Sequence, residues 1–322
     1  MGELKDKYGR KITYLRLSIT DRCNLRCRYC MPEEGVESKS HDDILSYEEI
    51  VKIVKNARDM GVRRVRVTGG EPLVRPEVFR LIAGLSQLGL EDISMTTNGV
   101  LLAEEAERLK NAGLNRVNIS LDSLKVERYR QITRRDKLAL VKDGIEKALL
   151  TGLKPVKINT VLLKDVNEDE VEDFLILSRD NPLHVRFIEY MPLGGEDEYQ
   201  YSSLKEVKKD LLANYNLQKT NVSGGGPAEY YKLPQGKGTI GFISPLSNHF
   251  CQYCNRMRLT ADGKIRPCLA SDLEVSLPEK LTDDSIKNVL KKALALKPVG
   301  HNMNKKQFDS FKRNRDMYQI GG

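Results

Sequence analysis

The chain alternates strand and helix patterns six times before residue 192, and this rhythm limits the fold more than any other feature of its 322 residues. Strand patterns cover 12–20, 62–68, 93–97, 114–121, 155–162 and 185–190, with helical periodicity over 46–60, 76–88, 101–111, 138–150 and 171–177. Ser46, with Glu49 three residues on, carries the signature of a capping box for the first helix, and Gly61 stops that helix. Repeated β-then-α units predict a parallel sheet covered by helices, curved into a partial (β/α)6 TIM-like barrel with its functional groups at the C-terminal strand ends. After Pro192 the alternation stops. Residues 1–192 are therefore expected to form the barrel core, and 193–322 a C-terminal α+β domain with helices over 203–212 and 283–296.

Parallel strands covered on both faces should be apolar throughout. Here one face repeatedly carries Arg16, Arg64, Arg66, Asn118, Ser120, Lys157, Asn159 and Arg186, while the other holds Val65, Val67, Val117, Ile119, Val156, Ile158, Val185 and Phe187. With the apolar face against the helices, the cations point into the lumen. Unpaired buried cations are costly, so the pattern predicts an anionic ligand inside; snorkelling or internal ion pairs are the alternative for single residues. The net charge of +8, from 53 Lys and Arg against 45 acids, fits a polyanionic partner without specifying one. No apolar run approaches the roughly 18 residues of a membrane span, and the polar N-terminus has no export signal, so a cytoplasmic protein is expected.

All six cysteines fall into two groups, Cys23, Cys27 and Cys30, then Cys251, Cys254 and Cys268. In a reducing cytosol such grouping points to metal or redox chemistry. The first group, C-x3-C-x2-C directly after the first strand, offers three thiolates to a cubane cluster and leaves one iron open. A structural zinc wants four protein ligands, and His41 is the nearby candidate. The second group admits either a zinc knuckle completed by His249 or a second cluster whose open iron binds a substrate. Arg256 and Arg258 alternate between its ligands, so in an extended segment they face the same way.

The cysteine triplet followed one β/α unit later by Gly69-Gly70-Glu71-Pro72 resembles the radical S-adenosylmethionine enzymes. That resemblance implies a 4Fe–4S cluster on Cys23, Cys27 and Cys30, with S-adenosylmethionine on its open iron and reductive cleavage to a 5′-deoxyadenosyl radical. It also implies that Gly69, Gly70 and Glu71 hold the amino group, Thr97 and Ser120 the carboxylate end, and Tyr29 and Met191 the adenine. Segments 14–18 through 30–32, 66–73, 119–123, 186–192, 241–245 and 254–260, with the terminal Gly321-Gly322, are similar to the branch that cyclises GTP in molybdenum cofactor biosynthesis.

Likeness to that branch implies a second 4Fe–4S cluster on Cys251, Cys254 and Cys268 that closes the barrel. It implies GTP contacts at Arg16, Arg64, Arg66, Lys157, Arg186, Arg256 and Arg258, and catalytic positions at Arg16, Arg256, Arg258, Gly321 and Gly322. The radical would remove the hydrogen at C3′ of GTP, and closure onto C8 would give 3′,8-cyclo-7,8-dihydro-GTP. Also implied are an electron donor such as flavodoxin or ferredoxin, transfer of product to cyclic pyranopterin monophosphate synthase, a monomer or homodimer, and neither nucleic acid nor membrane as partner. The chain departs from the branch at Arg134, where glycine is common. One alternative is a radical enzyme that modifies a peptide, although such enzymes generally use more cysteines in their auxiliary clusters. Another is a zinc-stapled nucleic-acid-binding protein, which leaves the alternation of cations along the strands unexplained.

Overall fold

The computed structural model describes residues 3–36, 40, 43–191, 193, 199, 202–224, 226–301 and 314–321. His41, Gly322 and most of the expected boundary near 192–198 lie outside the described residues. The six expected strands form as β1 (Tyr14–Ser18), β2 (Arg64–Thr68), β3 (Asp92–Thr97), β4 (Arg116–Ser120), β5 (Val156–Leu162) and β6 (Leu183–Glu189), each paired in parallel with the next. Helices α1 (Tyr47–Asp59), α2 (Val78–Ser86), α3 (Leu102–Asn111), α4 (Val126–Thr133), α5 (Leu138–Leu150) and α6 (Val171–Asp180) alternate with them. The capping box is present: Ser46 Oγ accepts from Glu49 N at 3.1 Å, and the Glu49 carboxylate accepts from Ser46 N at 2.8 Å. Helix α4 falls outside the expected set, because its sequence is largely polar and only Tyr129, Ile132 and Thr133 are buried.

The C-terminal residues add α7 (Leu204–Asn214), β7 (Gln218–Thr220), β8 (Glu229–Lys232), β9 (Thr239–Ile243), β10 (Arg256–Leu259), β11 (Lys264–Arg266), β12 (Val275–Ser276), α8 (Asp283–Ala295) and α9 (Met317–Ile320). Their strands continue the barrel sheet. β10 runs parallel to β1 and β9 parallel to β6, giving a single twelve-stranded sheet in the order β12-β11-β10-β1-β2-β3-β4-β5-β6-β9-β8-β7. Cys30 follows β1 and Cys254 precedes the parallel β10. The two cysteine groups therefore lie beyond opposite ends of the β1–β10 pair. Among the described residues no helix is long and apolar enough to cross a membrane.

The two strand faces separate as their alternation requires. Val65, Val67, Val117, Ile119, Val156, Ile158, Val185 and Phe187 are all fully buried in the main core with helix residues such as Ile53, Leu81 and Val141. Phe187 meets Phe174 of α6 edge-on, with ring centroids 6.0 Å apart. On the inner face the register aligns Arg258, Arg16 and Arg66 in one row across β10, β1 and β2, continued by Ser94 and Arg116. Neighbouring residues of β6 test this division. Phe187→Ala should lower stability by about 3–5 kcal/mol. Arg186→Met removes a buried cation but leaves the buried Asn118 Oδ1 without its 2.8 Å donor, so it should cost at most about 2 kcal/mol. Chemical denaturation of both variants checks this, and a larger loss for Arg186→Met would make Arg186 part of the structural core.

Candidate active site

The loop after β1 carries the first cysteine group, and the loop after β2 grips it along its backbone. Gly70 N donates to Thr20 O and Glu71 N to Arg22 O, both at 2.8 Å. A Cβ on Gly70 would lie 2.4 Å from Arg22 O and one on Gly69 2.5 Å from Thr20 O, so this approach needs glycine. The buried Glu71 carboxylate accepts from Leu73 N at 3.0 Å, Thr97 Oγ1 at 2.7 Å and Asn98 N at 2.6 Å, bracing the ends of β2 and β3 together. Burial pushes its pKa up to about 7 against those donors. Asn98 Nδ2 donates to Asn24 Oδ1 at 2.6 Å and reaches to 3.8 Å from Cys23 Sγ. From the other side, Arg134 ends α4 with φ 56°, and its Nη1 donates to Arg26 O at 3.1 Å and Met31 O at 3.2 Å. The arginine thus keeps the left-handed backbone that glycine adopts freely, and adds a tether to the cysteine loop.

Burial pushes the Cys23 thiol up to about 11, with Glu71 adding to the effect, and the Cys30 thiol up to about 12, with Cys23 adding. Burial and the neighbouring Cys30 and Cys23 raise Cys27 well above its usual range. Left to themselves these thiols stay protonated. Three thiolates become stable there beside a strongly cationic centre, which suits the donor set to an iron–sulfur cluster.

A cavity of ≈ 1140 Å³ connects the two cysteine groups, and Arg16, Arg66, Arg186, Arg256 and Arg258 line it between them. These cations repel one another. Burial, then Arg258 and Arg66, depress Arg16 well below its usual value; burial and Arg256 bring Arg258 down to about 9. Arg186 falls to about 10 through burial, with Arg66 and Arg116 opposing its charge and Tyr230 favouring it. An anion in the lumen would lower the cost of every one of these charges.

Two further buried cations are engaged by backbone. Lys157 Nζ donates to Ser223 O at 2.6 Å, and burial followed by Arg186 and Arg116 brings its pKa down to about 6. Arg116 meets Asp92 through bonds of 2.8 and 2.7 Å and donates to Gly224 O at 3.0 Å. Gly224 has φ +89°, and a Cβ there would lie 2.6 Å from Arg116 Nε, so the fit needs glycine. Arg64 pairs with Glu91 at 3.4 Å while 40% of its side chain stays exposed.

The segment leading to the second cysteine group hangs from the end of β6, where Glu189 accepts from Leu246 N at 2.8 Å, Ser247 N at 3.1 Å and Ser247 Oγ. Burial pushes the Cys254 thiol up, but Arg256 and Lys297 outweigh it and bring its pKa down to about 7. His249 converges with Cys251 and His301, their ligand atoms lying within 4.8 Å of one another. The C-terminal tail reaches the same lumen: Arg258 Nη1 donates to Ile320 O at 3.1 Å and to Gly321 O. Gly321 has φ +72° and a Cβ on it would meet Thr68 Cγ2 at 2.4 Å.

A sequence model of the Radical SAM superfamily matches residues 17–177, and one of Molybdenum Cofactor Synthesis C matches 183–303. The GTP 3′,8-cyclase of Petrotoga mobilis is 52% identical over 98% of this chain and 99% of its own length. Those of Syntrophomonas wolfei and Moorella thermoacetica are 49% identical (98% of this chain, 99% of theirs) and 47% identical (99% and 100%). The chain belongs to the GTP 3′,8-cyclase family of radical SAM enzymes. Among solved structures, Streptococcus suis SuiB bound to S-adenosylmethionine superposes with a TM-score of 0.64 over 90% of this chain and 69% of that one. At 16% identity, this is a likeness of fold.

Membership of the GTP 3′,8-cyclase family gives a frame for where each expected residue lies. Tyr29, Gly69, Gly70, Thr97, Ser120 and Met191 line the cavity, as do Arg16, Arg64, Arg66, Arg186, Arg256 and Arg258. Glu71 and Lys157 are buried behind its wall in the contacts given above, and Gly322 lies outside the described residues. Asn98, Arg116, Lys297 and His301 belong to the site and carry no motif. Arg116 shares its strand face with Asn118 and Ser120, so alternation was a signal for it; nothing local marks Lys297.

The left-handed Arg134 tests how the cysteine loop is held. Arg134→Ala loses both tethers and keeps the backbone strain, so it should destabilise the protein by about 1–3 kcal/mol. Arg134→Gly loses the tethers but not the backbone fit, and should be the more stable of the two by about 1 kcal/mol. Thermal unfolding of both variants decides it, and a glycine variant weaker than the alanine variant would contradict the account.

Proposed function

We propose that the chain is a GTP 3′,8-cyclase, converting GTP to 3′,8-cyclo-7,8-dihydro-GTP at the first step of molybdenum cofactor biosynthesis. The observation that carries this reading is the single cavity that joins two cysteine triads and has mutually repelling arginines between them. Cys23, Cys27 and Cys30 would hold the 4Fe–4S cluster that family membership entails, together with S-adenosylmethionine; Cys251, Cys254 and Cys268 would hold a second cluster. When bound, the first cluster and S-adenosylmethionine supply a 5′-deoxyadenosyl radical competent to take the C3′ hydrogen of GTP.

The chain's own residues bind and orient. Gly69 and Gly70 present bare backbone to the amino-acid end of S-adenosylmethionine, Ser120 offers its hydroxyl to the carboxylate, Thr97 lies at the same end with its own hydroxyl given to Glu71, and Tyr29 and Met191 flank the adenine. Glu71 acts by holding these loops, since three donors already occupy its carboxylate. Arg16, Arg66, Arg186, Arg256 and Arg258 take the triphosphate and guanine, with Lys157 and Arg64 at the margins. Binding the anion turns repulsion among the arginines into charge-assisted hydrogen bonds, and fixing both ends of GTP holds C3′ close to C8. Gly321 lies beside Arg258, next to the substrate, and Gly322 shares the catalytic role that the family likeness implies. The barrel core of residues 1–192 and the C-terminal unit 193–322 act together in the cytoplasm. They draw electrons from a flavodoxin or ferredoxin and pass the product to cyclic pyranopterin monophosphate synthase.

Anaerobic incubation with GTP, S-adenosylmethionine and a reductant, followed by identification of the nucleotide, tests the reading directly. The expected product is 3′,8-cyclo-7,8-dihydro-GTP, and unchanged GTP from fully loaded protein would overturn the proposal. Arg66→Met should reduce GTP turnover about 100-fold while uncoupled cleavage of S-adenosylmethionine persists.

A second reading of the C-terminal metal has its own observation, the convergence of His249, Cys251 and His301, which suits one tetrahedral divalent ion. Metal analysis separates the two. About eight irons and no zinc per chain supports two clusters, whereas about four irons with one zinc supports the single ion.

A further inference from the structure

We propose that Lys297 is a positioning residue for the metal centre at Cys251, Cys254 and Cys268, tying its ligand segments together and holding its reduction potential up through a cationic N–H···S contact. The proposal rests on the second-cluster reading above. Lys297 lies just beyond the end of α8 and is only 2% exposed. Its Nζ donates to Arg256 O and to Pro267 O, each at 2.7 Å, and lies 3.7 Å from Cys254 Sγ. An ammonium has three donors and no acceptor, so all of them are used at this one centre. Arg256 stands two residues after Cys254, and Pro267 immediately precedes Cys268. One side chain therefore fixes the backbone on which two of the three ligands are mounted.

The third ligand is attached to the same turn by another buried cation. Arg10 Nη1 donates to Cys251 O and to Val299 O, both at 2.9 Å, its Nη2 donates to Pro298 O at 2.6 Å, and its Nε is held by Asp6 at 2.6 Å. Residues 297–299 thus reach all three ligand segments through Lys297 and Arg10. Both cations are turned inward, where a lysine would ordinarily snorkel to solvent, and an inward ammonium needs negative charge nearby. Three thiolates at one centre supply it. A cation and an N–H donor beside a thiolate stabilise the more negative, reduced form of a cluster more than its oxidised form, and so raise its potential.

The experiment uses the full chain with Cys23, Cys27 and Cys30 replaced by alanine, so that iron is bound only by the C-terminal group. After anaerobic reconstitution, redox titration followed by electron paramagnetic resonance compares this parent with Lys297→Met, Lys297→Gln and Lys297→Arg. The expected result is a lower midpoint potential in the methionine and glutamine variants, partial recovery in the arginine variant, and iron loss to a chelator about 10-fold faster without the lysine. The glutamine variant keeps donors without charge, so it reads the potential even where the methionine variant loads poorly. An unchanged potential in the glutamine variant, or faster iron loss with the potential unmoved, overturns the proposal while the parent's cluster stands. A parent that takes up no iron overturns the second-cluster reading, and this proposal with it.

Discussion

Repulsion between buried cations is the constraint around which the rest of the molecule is arranged. Arg258, Arg16 and Arg66 stand in register on adjacent parallel strands. Arg258 and Arg66 both oppose the charge of Arg16 between them, so the row opposes folding. Arginine keeps its charge under these conditions where lysine would release a proton. The sheet tolerates the row because its outer face is fully committed to the apolar core, so the helices hold the cations in place whether or not an anion is present. A lumen built this way is selective before any hydrogen bond is counted, since neutral molecules leave the repulsion untouched.

The buried cations differ in whether they bind backbone carbonyls of the wall. Arg116 and Lys157 are bound to Asp92 and to the carbonyls of Gly224 and Ser223, and so secure a glycine-rich segment against the barrel. Arg16, Arg66 and Arg186 line the cavity, Arg186 donating from one Nη to Asn118 Oδ1 at 2.8 Å. The cysteine groups differ in a parallel way. Glu71 and Asp122 lie near the first and oppose ionisation of its thiols. Arg256 and Lys297 lie near the second and favour it at Cys254. Negative neighbours make a metal centre a stronger reductant and positive neighbours a weaker one, so the two ends of the cavity are electrostatically unlike.

Much of this was legible in the sequence, for identifiable reasons. Period-two alternation exposed both faces of the strands, because sheet geometry assigns Val65 and Arg66 to opposite sides whatever the tertiary context. The capping box at Ser46 and Glu49 is a contact over three residues and reads equally well. Helix α4 was not legible, since it is short and largely polar and its buried stripe is only Tyr129, Ile132 and Thr133. Nor was the recruitment of β9 and β10 to the barrel edges, because pairing between Tyr14 and Arg256 is set by tertiary packing. Lys157 shows the limit within a single residue: alternation placed it on the inner face, but only the structure shows its ammonium occupied by Ser223 O.

The position of β10 in the sheet has a consequence for the order in which the molecule is built. β1 is made first, yet one of its two edges is covered only by residues 256–259. During synthesis that edge, with the loop bearing Cys23, Cys27 and Cys30 at its end, stays unpaired until most of the chain has left the ribosome. An open strand edge invites pairing with other chains. The nascent barrel is therefore most vulnerable to misassembly at the strand that leads into its first metal-binding loop, and the closing of that edge is a late event in its biogenesis.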